Sequence, residues 1–153
     1  MYYLFYILLL YLFIDSFFCL FRMYRRTTIY NKALKKSKET NKELLVIGNP
    51  TAGFMNKIVY KSYDCGDICL DLNGCDTCPN QIKGDLLQEI KKLESNKYVV
   101  FESCVLEYVN DSDMFEVRKE LFRISNGDLY EVRIFPNIMP LSTSLKIIEL
   151  GKF

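Results

Sequence analysis

The sequence predicts an open, mostly parallel α/β sheet with short helices, preceded by one membrane-crossing helix. Three observations carry that expectation. Residues 1–21 are an almost unbroken apolar run. From residue 43 onward, short β-rich apolar runs alternate with amphipathic helical stretches, the pattern of units that pair strands in parallel. Gly, Pro and Asn fall at the ends of those runs, where a chain must turn. With 153 residues, half of them hydrophobic, the chain suits one packed domain.

The first element is MYYLFYILLLYLFIDSFFCLF, interrupted only by Asp15 and Ser16. About 20 apolar residues cross a bilayer as a helix. Asp15 lies past the middle of the run, and one charge at about 3 kcal/mol is outweighed by the surrounding Leu, Phe and Ile. A cleaved signal has its positive charge first and a small-residue cleavage site. Here Arg22, Arg25 and Arg26 follow the run, so residues 1–21 read as a transmembrane anchor. The positive-inside rule then puts the rest of the chain on the cytoplasmic side of a single-pass protein. Residues 22–42 read as a basic linker, solvated or lying on anionic headgroups.

Residues 43–153 form the predicted α/β domain. Leu44–Ile47 reads as a buried strand stopped by Gly48-Asn49-Pro50. Met55–Tyr60 has room for a turn or two of helix. Asp67–Leu72 reads as a second strand, followed by a cysteine-rich loop ending at Pro79. In Asp85–Glu94, Leu86, Leu87, Ile90 and Leu93 recur at helical spacing behind Asp85 as N-cap. Tyr98–Phe101 is a strand continuing towards Cys104. A helix over 113–124, capped by Asp111 or Ser112, offers Phe115, Val117, Leu121 and Phe122 as apolar positions and stops at Asn126-Gly127. Leu129–Phe135 and Leu145–Leu150 complete the strands. Ligands of such sheets sit at the carboxyl ends of the strands, which selects Gly48–Gly53, the Asp71 region and Ser103–Glu107.

Composition narrows the chemistry. The absence of His excludes a His-based triad, a His-ligated metal and a His general base. Residues 22–38 carry seven basic residues and no acid, whereas 39–153 has a net charge of −5. The globular part is therefore not a nucleic-acid surface. Six cysteines are expected as reduced thiols on the cytoplasmic side, with Cys19 a candidate for palmitoylation. On the opposite side disulfides become possible, and Asn110 in Asn110-Asp111-Ser112 becomes a glycosylation acceptor. Cys65, Cys69, Cys75 and Cys78 have enough thiolates for zinc, and Cys75-Asp76-Thr77-Cys78 has the form of a redox pair, but the irregular spacing and the place of Cys69 inside a predicted strand favour buried thiols and a loop pair over either.

The segment from about Glu43 to Phe135 resembles a class I S-adenosylmethionine-dependent methyltransferase in a small, degenerate form of a kind seen in viral and environmental genomes. Leu45-Val46-Ile47-Gly48-Asn49-Pro50-Thr51-Ala52-Gly53 is similar to the first strand and glycine-rich loop of that family. Asp67-Ile68-Cys69-Leu70-Asp71 resembles its second strand, and Gly84-Asp85 its acidic position beside the adenine. Val100–Val109 (VFESCVLEYV) resembles the fourth strand and the turn after it. Glu120–Ile124 with Gly127–Tyr130 is similar to the passage into the fifth strand.

The resemblance implies a reduced Rossmann-like sheet and S-adenosylmethionine bound by Gly48, Asn49, Pro50, Gly53, Asp71, Asp85 and Ser103. It leaves the methyl acceptor or protein partner undefined. The sequence departs from the family where Val46 replaces an acid, Pro50 replaces a loop glycine, and too few residues join Leu72 to Ile82 for a helical crossover. A catalytically inactive module of the same fold, binding cofactor or partner at a membrane, is thus an alternative. A zinc- or thiol-based interaction module is a second. Gly48–Gly53 also reads as a strand-ending turn, Asp71 as a turn residue and Asp85 as a helix cap.

Overall fold

The computed structural model describes residues 2–51 and 61–133. The elements are α1 (Tyr2–Thr40), β1 (Glu43–Ile47), β2 (Ile68–Asp71), β3 (Gln81–Lys83), α2 (Leu86–Ile90), β4 (Tyr98–Ser103), a 3₁₀ turn (Leu106–Tyr108), α3 (Asp111–Ser125) and β5 (Leu129–Val132). The five strands form one sheet in the order β3-β2-β1-β4-β5, and every neighbouring pair is parallel. Gly53, the short helix expected over 55–60, the final strand expected over 145–150 and the last residues of the strand expected to end at Phe135 lie outside the described residues.

The chain divides into residues 1–25 with 134–153 and a compact unit of residues 26–133. In the first unit, α1 has a mean hydropathy of 2.3 over its most apolar 18 residues, long and apolar enough to cross a membrane by length and composition. The second unit is the sheet and everything packed on it, and the last 15 residues of α1 belong to it.

Register decides which side chains share a face, because partners in a parallel pair point the same way. Leu45, Ile47, Leu70 and Val100 face α2 and α3 and form one core with Leu86, Ile90, Leu106, Val117, Leu121 and Ile124. The opposite face carries Leu44, Val46, Cys69, Val99 and Phe101, each fully buried. Sheets with parallel strands are covered on both faces, and here the cover comes from α1. Tyr30 stacks edge-on against Phe101 at 5.3 Å and lies 6.2 Å from Tyr63, which is itself 5.1 Å from Phe101. Ala33 and Ser37, further along the same stripe, are also buried. The stretch expected as a basic linker is thus helical to Thr40, with one face packed and its lysines on the other.

The ends of the helices are fixed locally. α1 stops where Asn41 turns left-handed (φ 53), and the Ser37 hydroxyl donates to the Lys42 carbonyl at 2.7 Å. Lys42 then donates to Asn96, to the Ser125 carbonyl and to Asp128, tying α1 to the starts of β4 and β5. α2 is five residues long rather than ten. Asp85 caps it by accepting from the Gln88 N–H, and Arg123 of α3 donates to its last carbonyl, at Ile90, and to the Leu93 carbonyl just beyond it. α3 begins two residues earlier than expected and is capped by Asn110, with no bond from the Asn110 side chain. Of its four expected apolar positions, Val117 and Leu121 are buried, whereas Phe115 and Phe122 are exposed and Ile124 takes the third inward place. Asn126, left-handed at φ 55, stops the helix as its sequence predicts.

The packing predicts a contrast. Tyr30→Ala removes a buried ring from between Phe101 and Tyr63 and should cost about 3 kcal/mol. Lys35→Ala, whose side chain is 79% exposed, should stay within about 0.5 kcal/mol of the parent. Pulse proteolysis of the full chain in detergent micelles, read on the 26–133 unit, measures both. Equal stability of the two variants would mean that α1 does not hold the sheet.

Candidate functional site

The order β3-β2-β1-β4-β5 reverses direction between β1 and β4, and loops leaving the two strands there part to opposite sides. Six of the residues expected to bind cofactor lie along this carboxyl edge: Gly48, Asn49 and Pro50 after β1, Asp71 at the end of β2, Asp85 after β3, and Ser103 at the end of β4. An open cleft of about 630 Å³ lies at the opposite, amino edge, lined by Glu43, Asp67, Asn80 and Gln81 among others. Strand topology and the grouping of polar residues both favour the carboxyl edge.

Asp71 organises the loops. Its Oδ2 accepts the Asn49 backbone N–H at 3.0 Å and its Oδ1 accepts that of Asn73 at 2.9 Å. Asn49 continues the network. Its Nδ2 donates to the Gly74 carbonyl at 3.0 Å, and its Oδ1 accepts from the Thr51 backbone N–H and hydroxyl. The loops after β1 and β2 are therefore one hydrogen-bonded body. Gly48 is required by close approach as well as by its φ of +104: a Cβ there would lie 2.9 Å from Val105 Cγ2. The Tyr63 hydroxyl donates to the Gly48 and Asn49 carbonyls.

Beneath these loops lies a polar cluster that the sequence reading missed. Arg26 of α1 donates to the Cys104 sulfur at 3.6 Å, and that sulfur lies 3.2 Å from the Val132 carbonyl. Tyr63 is buried beside Ser103, and burial pushes its phenol up to about 12 against the opposing pull of Arg26. Burial also raises the Cys104 thiol, again opposed by Arg26, so this cysteine is a neutral thiol near pH 7 and not an activated nucleophile. Glu102 is 1% exposed. Its Oε1 accepts the backbone N–H groups of Val105 and Leu106. Burial pushes its carboxyl up to about 7 despite those two bonds, and the neighbouring Glu131 and Glu107 add to the rise. Burial would raise Glu131 too, but Arg118 and Arg133 hold it below the usual carboxylate range.

Cys75 and Cys78, in the loop between β2 and β3, are joined to Cys69 of β2 and to Cys65 just before it, as Cys65–Cys78 and Cys69–Cys75. This corrects the expectation of six reduced thiols: among the described residues only Cys19 and Cys104 are free. Residues 72–80 connect two parallel strands with no helix, a shorter path than such crossovers normally take. The two cross-links, Gly74 at φ 88 and the Cys75 N–H bond to Gln81 Oε1 shape that short path.

No family model, curated protein or solved structure matches this chain.

Glu102 generates the prediction for this edge. Its folded-state value lies above that of an exposed Glu, so the native state binds the proton more tightly. Stability should fall as pH rises from about 4.5 to about 7 and then level off, by at most about 3 kcal/mol from this group. Glu102→Gln, which keeps an acceptor for the Val105 and Leu106 N–H groups, should flatten that slope. Denaturant midpoints at a series of pH values would show it, and parallel slopes for parent and variant would place the titration elsewhere.

Proposed function

We propose that the protein is a membrane-anchored, S-adenosylmethionine-dependent methyltransferase-like protein, with residues 43–133 as a reduced Rossmann-like domain on the cytoplasmic side. The observation that carries the reading is the joined loop pair at the carboxyl edge. A strand-ending glycine with positive φ is followed by Asn49, whose N–H donates to the carboxylate that ends the neighbouring strand, beside the point where strand order reverses. The motifs from Leu45 to Gly53, at Asp71, at Asp85 and from Val100 to Val109 support the same reading through their resemblance to that family.

The residues present fit such a cofactor in part. Each Asp71 oxygen already accepts one backbone N–H, and each keeps a lone pair for a ribose hydroxyl. Asp85 uses Oδ1 as a helix cap, and its Oδ2 remains for an adenine amine. Gly48 brings backbone close to the cofactor's amino-acid end. The cofactor supplies a methyl group on a positively charged sulfur. This chain's part would be alignment, which methyl transfer chiefly needs. The orientation rests on Arg22, Arg25 and Arg26 following the apolar run.

A second reading, a non-catalytic binding module of the same fold, is favoured by one specific feature. Val105 and the Tyr63 hydroxyl crowd Gly48 at the reversal point, within 2.9 and 3.7 Å of where a Cβ would stand. That packing takes up room beside the loop on which a cofactor would rest.

Calorimetric titration of the full chain in micelles with S-adenosylmethionine and S-adenosylhomocysteine tests the first reading. Saturable binding at micromolar Kd is expected. Asp71→Asn should weaken it at least about tenfold, the loss of roughly one charge-assisted hydrogen bond, with the unfolding midpoint recorded to separate loop damage from lost contact. Absence of heat at millimolar cofactor would remove the cofactor from the proposal.

A further inference from the structure

The four cross-linked cysteines lie closer together than two unrelated cross-links require. The sulfurs of Cys69, Cys75 and Cys78 lie within 4.8 Å of one another, and the Cys65 sulfur is bonded to that of Cys78. Cys65 thus stands beside the three through its bond to Cys78. Cys69, Cys75 and Cys78 are buried. Four thiolates about 2.3 Å from a zinc ion stand about 3.8 Å apart, a separation within the 4.8 Å spread of the Cys69, Cys75 and Cys78 sulfurs.

The scaffold suits a closed metal site. Cys75 and Cys78 sit at the two ends of a turn closed by the Cys78 N–H on the Cys75 carbonyl at 2.7 Å. Gln81 accepts the Cys75 N–H and fixes that turn to β3. On the other side, Gly66 lets the chain double back between Cys65 and Cys69: a Cβ there would meet the Leu44 carbonyl at 2.6 Å. Two carboxylates beside Cys65 are engaged elsewhere, Asp67 with the Leu44 N–H and Asp64 with Lys61. In a reducing compartment this cysteine pattern reads as metal-binding rather than as a disulfide framework.

We propose that, when these cysteines are reduced, the chain binds a single zinc ion through Cys65, Cys69, Cys75 and Cys78 in place of the two disulfides. Reduction puts two electrons into each disulfide, from a dithiol or phosphine reductant, and yields four thiols. Zinc binding then displaces their protons to solvent, with no redox change at the metal. The ion would hold the β2–β3 loop in the folded path that the disulfides hold in the oxidised chain. Because Asn49 bonds to Gly74 and to neither sulfur pair directly, the loops at the carboxyl edge keep their connection in both states.

The test uses the full chain in detergent micelles, purified under a phosphine reductant with zinc present. Metal analysis after desalting should find about one zinc per chain. Cobalt substitution should show the strong visible bands and near-ultraviolet sulfur-to-metal charge transfer of a tetrahedral four-thiolate site. Cys75→Ser and Cys78→Ser should abolish or weaken the metal, and Cys19→Ser should keep it. The cobalt spectrum of the parent reports sulfur ligation even where a variant fails to fold. Zinc at blank level, with all four thiols open to alkylation, would overturn the proposal. So would disulfides that persist in the cell together with glycosylation of Asn110, which would place the loop in an oxidising compartment.

Discussion

A parallel sheet has no solvent-facing side, and this fold is arranged around that requirement. β1 sits at the centre with Leu44, Leu45, Val46 and Ile47 all at zero exposure, so both faces of the sheet need cover. On one side α2 and α3 supply it, packing over Leu45, Ile47 and Val100. The other side is closed by the end of α1 and by Tyr63, through the ring cluster on Phe101. Without Tyr30, the Phe101 ring would lose its cover on this face, at a cost of roughly 2 kcal/mol. A helix that begins as an apolar segment thereby becomes an integral layer of the domain, and the domain unit starts at Arg26 rather than at Glu43.

The same economy of helices shapes the carboxyl edge. The path from β2 to β3 has nine residues, 72–80, where a helix would normally run. Cross-links and a glycine take over its task of returning the chain in parallel. That loop also carries Asp71 at its start, so the residue best placed to hold a ligand is the one that binds two loop N–H groups. What this edge offers chemically is shape, backbone donors and a carboxylate. Cys104 is held as a neutral thiol and the Tyr63 phenol is pushed to about 12, so neither is a ready nucleophile or base at neutral pH. Glu102, pushed up to about 7, spends its Oε1 on the turn after β4. Alignment of reactants, more than proton transfer, suits this inventory.

Much of the fold was legible because strand and helix signals are local. The runs Leu44–Ile47 and Tyr98–Phe101, the cap at Asp85 and the stop at Asn126-Gly127 all stand where their side chains predict. β3 was not legible: Gln81-Ile82-Lys83 has one apolar residue, and only its pairing with β2 makes it a strand. The exposure of Phe115 and Phe122 was hidden because helical spacing fits more than one inward face. The docking of α1 did leave a signal. Arg26, Tyr30, Ala33 and Ser37 recur at steps of four, three and four, the stripe of a packed helix, but the density of Lys and Arg around them read as solvated charge. That Gly48, Asp71 and Ser103 share one edge followed from topology, since carboxyl ends of parallel strands converge, whereas Asp85 was singled out by the resemblance; the Arg26–Tyr63–Cys104 cluster joins residues 37 and 41 positions apart, beyond the reach of any local pattern.

These layers meet at Asp71. Its carboxylate binds the loop after β1, its own strand carries Cys69 two residues earlier, and its carbonyl accepts from both Gly74 and Gly84. Through Asn49 and Gly74 the cysteine loop and the glycine loop share a hydrogen bond. A change that loosened the cysteine loop would therefore release the partner of Asn49, and with it the Thr51 turn that Asn49 caps. The converse holds as well: a ligand that orders the loop after β1 stabilises the loop after β2, because the two are bonded to one carboxylate. Coupling of this kind needs no moving domain. It follows from placing a single buried-edge acid where two short loops have no helix of their own to hold them.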